Sequence, residues 1–404
     1  MPLEFIFEPG CHTCRPKKNP AFARETPLSR LKDCLIASMI HFRTRTAKSA
    51  QSPGTKRLSI AMGRKQIPPD IKRRPLMKYA VLSYIEGRNT YNLGDHVQSI
   101  AASRFLPRVD FHLNREELAY YDGPPVKLIM NGWFVHNSAD WVPAPAITPL
   151  FVSFHINELA KKDFSSPQSI AYLKRHEPIG CRDLGTVNFL RSHGVDAYFS
   201  GCLTLTLDWL REPESVERDG VYEVDLFYRY PHLPTYLRDW RLFLRSIQHG
   251  WLFKTGKRQW HRSRLLSHIF RRCSRQRTQE PWNDGLDNPS KMLKARRLLK
   301  EYATAELVVT SRIHCALPCL ALGTPVIFVD TFAGDPVSNC RFGGMLELFN
   351  VVRFDSKTGR FSANFEMNKK ITPYLSPRNP DTYKRLVPPL IERCERFITD
   401  GNPG

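Results

Sequence analysis

The sequence predicts an α/β protein, because three stretches each read as a strand, a turn and a helix in succession. These stretches are residues 79–105, 178–197 and 305–330. In each one a short apolar run is followed by a polar turn and then by apolar residues at helical spacing. Units of this kind build a parallel sheet covered by helices, so ligands are expected at the carboxyl ends of the strands.

The size and composition are those of a globular protein with room for two domains. The chain has 404 residues, of which 42% are hydrophobic and 25% are charged. No run approaches the roughly 18 apolar residues of a membrane span, and the first residues lack the basic-then-apolar order of a secretory signal. We therefore expect a cytoplasmic protein whose ten cysteines are reduced.

The formal charge of +21 is concentrated in two segments. Residues 1–78 hold 17 basic and 5 acidic residues, and residues 238–278 hold 12 basic and 1 acidic. Neither segment has the stacking aromatics of an RNA-binding module, so no nucleic-acid partner is predicted. The second segment interleaves aromatic residues with its charges (Trp251, Phe253, Trp260 and Phe270). This pattern favours peripheral contact with the inner face of a membrane or with a lipid-linked substrate.

Changes in composition divide the chain into four parts. Residues 1–76 mix Pro, Arg, Lys and Ser without a sustained period and are predicted to be a disordered basic extension. In this extension Cys11 and Cys14 resemble half of a zinc knuckle, but the second half is missing, so no metal site is predicted. The other parts are an N-terminal Rossmann-like domain at 77–210, a C-terminal one at 211–375 with a basic insertion at 238–278, and a helix and tail at 376–404.

The first unit joins a strand, YAVLSYI, to a helix through a loop that contains glycine. The loop ends at Gly94 and Asp95 and lacks the G-x-G of a dinucleotide site. Gly94 would let the backbone approach a ligand closely. Asp95 either caps the helix or accepts hydrogen bonds from sugar hydroxyls, and taken alone it is predicted to be the cap.

Two further apolar strands end in polar and aromatic residues. Val126–Met130 is followed by Asn131, and Phe151–Phe154 is followed by His155 and Asn157. Hydroxyl partners next to aromatic rings suit a carbohydrate ligand, although ordinary packing aromatics produce the same pattern. Both interpretations stay open on the sequence alone.

The unit at 178–197 places charged residues at a strand end. The strand reaches Cys181, Arg182 and Asp183 occupy the turn, and Gly194 closes the helix. Asp183 is typical of a helix cap. Arg182 is either a surface charge or one of the two clamps that an anion with two charged groups would need.

The unit at 305–330 supplies a second arginine in the same kind of turn. After its strand, Thr310 or Ser311 is predicted to cap the helix, so Arg312 and His314 fall in the first helical turn. Free N–H groups there favour an anion, Arg offers a fork for carboxylate or phosphate, and His carries protons near neutral pH. The turn is therefore a candidate site for a small anionic substrate. Two exposed polar residues on an ordinary turn are the alternative.

The order of these motifs resembles that of the polysaccharide pyruvyl transferase family. The similarity spans about residues 77–345 and rests on Asn92-Leu93-Gly94-Asp95, on Cys181-Arg182-Asp183 with Gly194 and Ser200-Gly201-Cys202, and on Ser311-Arg312-Ile313-His314 with Gly323-Thr324-Pro325. It implies two Rossmann-like domains in a GT-B-like arrangement. It also implies transfer of pyruvate from phosphoenolpyruvate onto two sugar hydroxyls as a ketal, with release of phosphate.

The resemblance also implies roles for particular residues. Arg182 and Arg312 would each hold one charged group of phosphoenolpyruvate, and His314 would be the general acid that protonates its methylene carbon. Asp95 would place or deprotonate an acceptor hydroxyl, and further substrate contacts are expected from Gly94, Asn131 and Ser311. No cofactor and no metal are expected. The acceptor would be a saccharide or a lipid-linked glycan of the cell envelope.

Two alternatives stay open. In a GT-B glycosyltransferase, Arg312 would bind the diphosphate of a nucleotide sugar. A non-catalytic carbohydrate-binding relative would keep the fold only, and the intact Arg182, Arg312 and His314 speak against it. The extension and the basic insertion depart from a minimal family member, and the insertion leaves acceptor recognition undefined.

Overall fold

The protein has an α/β fold built on parallel sheets, which confirms the predicted class. The computed structural model describes residues 77–84, 90–135, 137–228, 236, 240–269, 275–331, 342–355, 358, 360–366 and 378–400. All of these lie in one compact unit, residues 73–404. The predicted extension at 1–76, with its half zinc knuckle, lies outside the described residues, and the domain boundary between 210 and 211 stays a prediction.

Short strands alternate with helices along the described chain. The strands are β1 (Lys78–Ser83), β2 (Phe111–Asn114), β3 (Val126–Ile129), β4 (Gly132–Phe134), β5 (Ile147–Leu150), β6 (Phe154–Ile156), β7 (Ile179–Cys181), β8 (Ala197–Phe199), β9 (Val221–Val224), β10 (Arg275–Arg277), β11 (Leu307–Thr310), β12 (Val326–Asp330), β13 (Asn350–Phe354) and β14 (Phe361–Ala363). The α-helices are α1 (Leu93–Ser103), α2 (Lys161–Phe164), α3 (Pro167–Lys174), α4 (Leu184–Ser192), α5 (Trp240–Gln248), α6 (Trp251–Ile269), α7 (Asn288–Ala303), α8 (Ile313–Ala321) and α9 (Val387–Thr399). The 3-10 helical segments are Arg115–Tyr120, Glu158–Ala160, Leu203–Leu210, Leu346–Leu348 and Asp381–Leu386. None of the described helices is both long enough and apolar enough to cross a lipid bilayer.

The strands form three sheets, and neighbouring strands run parallel in all of them except at one edge. The first sheet has the order β2-β1-β3-β5, the second β4-β6-β7-β8, and the third β10-β9-β11-β12-β13-β14. The exception is the antiparallel pair of β13 and β14. Parallel strands need apolar cover on both faces, and β11 and β12 are accordingly buried along their whole length.

One hydrophobic core places the helix starts of the first and third sheets side by side. It combines residues of α1, α7, α8 and the segment Leu203–Leu210. Helix α1 packs against α7 and α8, and α8 also packs against Leu203–Leu210. The starts of α1 and α8 therefore lie in the same region of the fold.

One predicted strand differs from the structure. The predicted strand Phe151–Phe154 is wrong, because residues 151–153 connect β5 to β6 and Ser153 has a φ of +56°. Phe151 and Val152 are buried, so their apolar run looked like a strand. The last helix contains two prolines, Pro388 and Pro389, and stays regular. They lie in the first turn of α9, where no backbone N–H donor is required.

Candidate active site

The first turns of α1 and α8 lie directly against each other. A Cβ atom added at Gly94 would lie 3.1 Å from the Cβ of His314, 3.0 Å from Asn92 Oδ1 and 3.2 Å from Gln279 Oε1. The N–H of Leu93, at the start of α1, donates to the carbonyl of Gln279 at 2.7 Å. Gly94 therefore lies close to side chains of the protein itself, including the Cβ of His314. Its predicted close approach to a ligand stays a prediction.

Substituting Gly94→Ala is expected to lower activity while leaving the free energy of unfolding within about 1 kcal/mol of its original value. Alanine favours a helix over glycine by about 1 kcal/mol, and this gain offsets the crowding at three contacts of 3.0–3.2 Å. Because the methyl group would push His314 away, turnover should fall. The matched control is Gly256→Ala in α6, where nothing lies within 4 Å and only the helix gain should appear. Undiminished turnover of Gly94→Ala, measured beside a denaturation curve, would contradict the expectation.

Arg182 and His314 meet although they are 132 residues apart in the chain. Nη1 of Arg182 lies 3.3 Å from Nε2 of His314. Both residues are buried, with 3% and 8% of their surface exposed, so the interpretation of Arg182 as a surface charge is wrong. A guanidinium can only donate, so Nε2 accepts this hydrogen bond and the ring carries its proton on Nδ1.

A buried ion pair supports Arg182 from the second sheet. Asp183 caps α4 as predicted, since its carboxylate accepts from the N–H of Thr186 at 2.9 Å. Nδ1 of His155, in β6, donates to the same carboxylate at 2.5 Å. Burial alone would raise the pKa of Asp183, but the charges of His155 and Arg182 outweigh it and lower that pKa. His155, predicted only as a polar residue near a strand end, therefore holds the turn that carries Arg182.

Arg312 lies just before α8, with its guanidinium held between two carboxylates. Nε donates to Asp225 at 3.1 Å and Nη2 donates to Glu280 at 2.8 Å. The guanidinium carbon lies 3.6 Å from the centre of the Tyr228 ring. Burial would lower the pKa of Arg312, but Glu280 and Asp225 outweigh it and raise that pKa further, so the side chain stays cationic.

Asp225 and Gln279 connect Arg312 to His314, and the sequence analysis missed both. Asp225 follows β9 with a φ of +47° and is 4% exposed. Its Oδ2 accepts from the backbone N–H of Gln279 at 2.9 Å as well as from Arg312. The side-chain amide of Gln279 donates to the carbonyl of His314 at 3.1 Å. An acidic residue directly after a strand was the available signal for Asp225, and it is similar to the signal at Asp183, which follows its strand by two residues.

Asp95 lies in the first turn of α1 and is not its cap. Asn92 caps the helix by accepting from the N–H of Gly94 at 2.9 Å, so the predicted cap role of Asp95 is wrong. Oδ1 of Asp95 accepts from the side chain of Gln98 at 3.1 Å. Burial raises the pKa of Asp95, and the positive charges of Arg115 and Arg182 oppose this effect. A raised pKa makes this carboxylate a stronger proton acceptor.

The two remaining predicted contacts, Asn131 and Ser311, are almost fully buried. Nδ2 of Asn131 donates to the carbonyl of Gln98 at 2.9 Å, which fixes α1 against the strand end. Ser311 is 1% exposed, and its hydroxyl has no hydrogen-bond partner among the described residues. It is not the helix cap. Thr310 accepts from the N–H of Arg312 at 2.9 Å, and no side chain caps the start of α8.

A cavity of about 600 Å³ opens at the carboxyl ends of β1 and β2, on the edge of the sheet that also carries the start of α1. Carboxylates, amides and two tyrosine rings line it, including Asn114, Glu117, Tyr120, Tyr121 and Asp122. Such a mixture suits a ligand with many hydroxyl groups. Among the described residues, no group of three or more His, Cys, Asp or Glu side chains is arranged to hold a metal ion.

Comparison with known proteins assigns the chain to a family. No curated protein matches it. A functionally uncharacterised protein from Klebsiella pneumoniae subsp. pneumoniae has a solved structure with 11% identity, a TM-score of 0.34, and coverage of 66% of this chain and 88% of that one. The family model described as polysaccharide pyruvyl transferase matches residues 92–331. This match covers more than half of the chain and encloses Asp95, Arg182, Asp225, Arg312 and His314. The chain belongs to the polysaccharide pyruvyl transferase family.

Proposed function

We propose that the protein transfers pyruvate from phosphoenolpyruvate to two hydroxyls of a glycan sugar and leaves the pyruvate as a ketal. The observation that carries the proposal is the buried contact of Arg182 with His314, with Arg312 two residues before His314 at the same helix start. Phosphoenolpyruvate has a carboxylate and a phosphate, and two arginines beside an uncapped helix start are the groups that bind such an anion.

The chemistry needs one proton donor and one proton acceptor. A proton added to the methylene carbon of phosphoenolpyruvate makes the neighbouring carbon electrophilic, so a sugar hydroxyl attacks it. Attack by the second hydroxyl and cleavage of the carbon–oxygen bond to phosphate then complete the ketal, and the departing phosphate takes up the proton of this second hydroxyl and leaves as inorganic phosphate. His314 is the proposed donor, because an anion that takes over the N–H groups of Arg182 frees Nε2 to hold a proton. Asp95, with its raised pKa, is the proposed acceptor for a sugar hydroxyl proton.

The acceptor glycan is proposed to use the polar cavity at the ends of β1 and β2. Its carboxylates, Glu117 and Asp122, can accept hydrogen bonds from hydroxyls, and the rings of Tyr120 and Tyr121 can cover an apolar sugar face. The acidic lining disfavours an anionic ligand, which separates this cavity from the arginine-rich donor site. A neutral sugar is therefore the expected acceptor.

Product analysis tests the proposal directly. The full chain is incubated with phosphoenolpyruvate and candidate neutral glycans, and the glycans are examined by mass spectrometry for an added pyruvate ketal. One phosphate should be released for each ketal formed. Release of a nucleotide from a sugar nucleotide, without consumption of phosphoenolpyruvate, would instead identify a glycosyltransferase. Glycan binding with neither reaction would identify a non-catalytic relative.

Substituting Arg312→Lys is expected to weaken phosphoenolpyruvate binding by about 10–100-fold. A hydrogen bond to a charged group contributes about 1.5–3 kcal/mol, and one ammonium cannot reach Asp225, Glu280 and a bound anion in the way a guanidinium does. Calorimetric titration with phosphoenolpyruvate measures the loss. Arg296→Lys is the control, because Arg296 also stacks on an aromatic ring, that of Trp209, but lies exposed on α7. Retained affinity in Arg312→Lys would remove Arg312 from the donor site.

A further inference from the structure

Helix α5 presents its apolar face to solvent. Trp240, Phe243, Leu244 and Ile247 follow the i, i+3, i+4, i+7 spacing that places side chains on one side of a helix. Their exposed fractions are 65%, 37%, 53% and 54%. The buried residue of this helix is Ser246. A surface helix of a globular protein normally turns its apolar stripe toward the core. In α5 the apolar stripe faces solvent instead.

Helix α6 is attached by one face and exposes aromatic rings on the other. On the attached face, Leu265 is fully buried in the core of the third sheet, and the ring of His261 packs against Phe354 with centroids 4.5 Å apart. Phe253 is 80% exposed and Trp260 is 56% exposed. Together with Gly256 and Lys257, they line a largely apolar groove of about 520 Å³. The contacts of the attached face hold α6 in a fixed position. No other described residue buries the exposed rings of Phe253 and Trp260.

The charges on these two helices have one sign. Residues 240–269 contain seven Arg and Lys and no Asp or Glu. Two of the arginines lie over the exposed tryptophans, Arg241 at 5.5 Å from the Trp240 ring and Arg264 at 5.4 Å from the Trp260 ring. Exposed aromatic and aliphatic side chains beside cations are typical of helices that lie in the headgroup region of a membrane. Each Lys or Arg near an anionic lipid surface strengthens such binding.

We propose that the α5–α6 pair docks on an anionic lipid surface. The apolar side chains of both helices would enter the headgroup region, and the arginines and lysines other than Arg262, which pairs with Glu223, would face lipid phosphates. A second copy of the chain is a poor occupant of this surface, because it would bring like charges together. The inference is independent of the proposed reaction, since lipid binding is measured without phosphoenolpyruvate or glycan.

The test is sedimentation of the full chain with vesicles of phosphatidylcholine alone or mixed with phosphatidylglycerol. Binding should rise with the anionic fraction and fall with added salt. The variants Phe243→Ser/Ile247→Ser and Phe253→Ser/Trp260→Ser should each weaken binding at least tenfold. Arg241→Ala/Lys257→Ala should weaken it by about fivefold per residue removed. The controls are Leu159→Ser and Lys162→Ala, exposed residues outside the two helices.

The outcomes separate the α5–α6 surface from the basic residues 1–78, which are present in every variant. Unchanged vesicle binding in both apolar variants would overturn the proposal and assign any binding to charge elsewhere. A fall in the measured mass of an oligomer in those variants, without vesicle binding by the unmodified chain, would also overturn it, because the surface would then join copies of the chain. Loss of ketal formation on a soluble glycan is not expected in any of these variants.

Discussion

His314→Ala is expected to lower the rate of ketal formation by about 10²–10⁴-fold while phosphoenolpyruvate still binds. His314 is the proposed proton donor, and its Nε2 lies 3.3 Å from Nη1 of Arg182 in a buried contact. Arginine does not release a proton near neutral pH, so Arg182 cannot replace the imidazole. Initial rates by mass spectrometry and affinity by calorimetry measure the two effects separately.

Two further variants show whether His314 acts through its proton. Gln in place of His314 keeps a group that accepts a hydrogen bond from Arg182 but cannot pass on a proton, so His314→Gln should lose as much rate as His314→Ala. His249→Ala is the control, because His249 lies exposed after α5. Undiminished turnover in His314→Ala would remove His314 from the mechanism. Loss of phosphoenolpyruvate binding in both His314 variants would make His314 an anchor for the donor and not an acid.

The elements that carry the site could be predicted because they are local. A strand, a turn and a helix follow one another within about twenty-five residues, so the periodicity of 305–330 was sufficient to place Arg312 and His314 at the start of α8. The same argument placed Arg182 after β7. It did not show that these turns face each other, and the structure places two of their side chains, Arg182 and His314, in contact.

The partners of these residues could not be predicted, because tertiary packing chooses them. Arg312 pairs with Asp225 and Glu280, which lie 87 residues and 32 residues before it in the chain. Glu280 and Gln279 follow the basic insertion without any periodic pattern. The burial of Arg182 could not be predicted from the sequence either. The neighbouring Asp183 is paired with His155, which lies in a different strand. Capping was ambiguous because Asn92 and Asp95 both suit the start of α1, and Asn92 takes the role.

Asp225→Ala is expected to lower the free energy of unfolding by about 3–5 kcal/mol, which is the usual cost of removing one partner of a buried ion pair. The Asp225 side chain is 2% exposed and the Arg312 side chain is 11% exposed. The substitution also leaves the N–H of Gln279 without its acceptor, and Gln279 holds the carbonyl of His314. Denaturant unfolding measures the loss of stability, and calorimetry should show weaker phosphoenolpyruvate binding because Arg312 is no longer positioned.

Glu280→Gln tests whether the stability lost in Asp225→Ala depends on the burial of the carboxylate or only on its charge. Glu280 contacts the same guanidinium at 2.8 Å, but its side chain is 42% exposed. Solvent screens an exposed pair, so this substitution should cost no more than about 1 kcal/mol of stability. Equal losses in Asp225→Ala and Glu280→Gln would contradict the structural argument, because the number of carboxylates would then matter and their burial would not. A small loss in Glu280→Gln beside a large one in Asp225→Ala would identify Asp225 as the residue that fixes Arg312, and through Gln279 the first turn of α8.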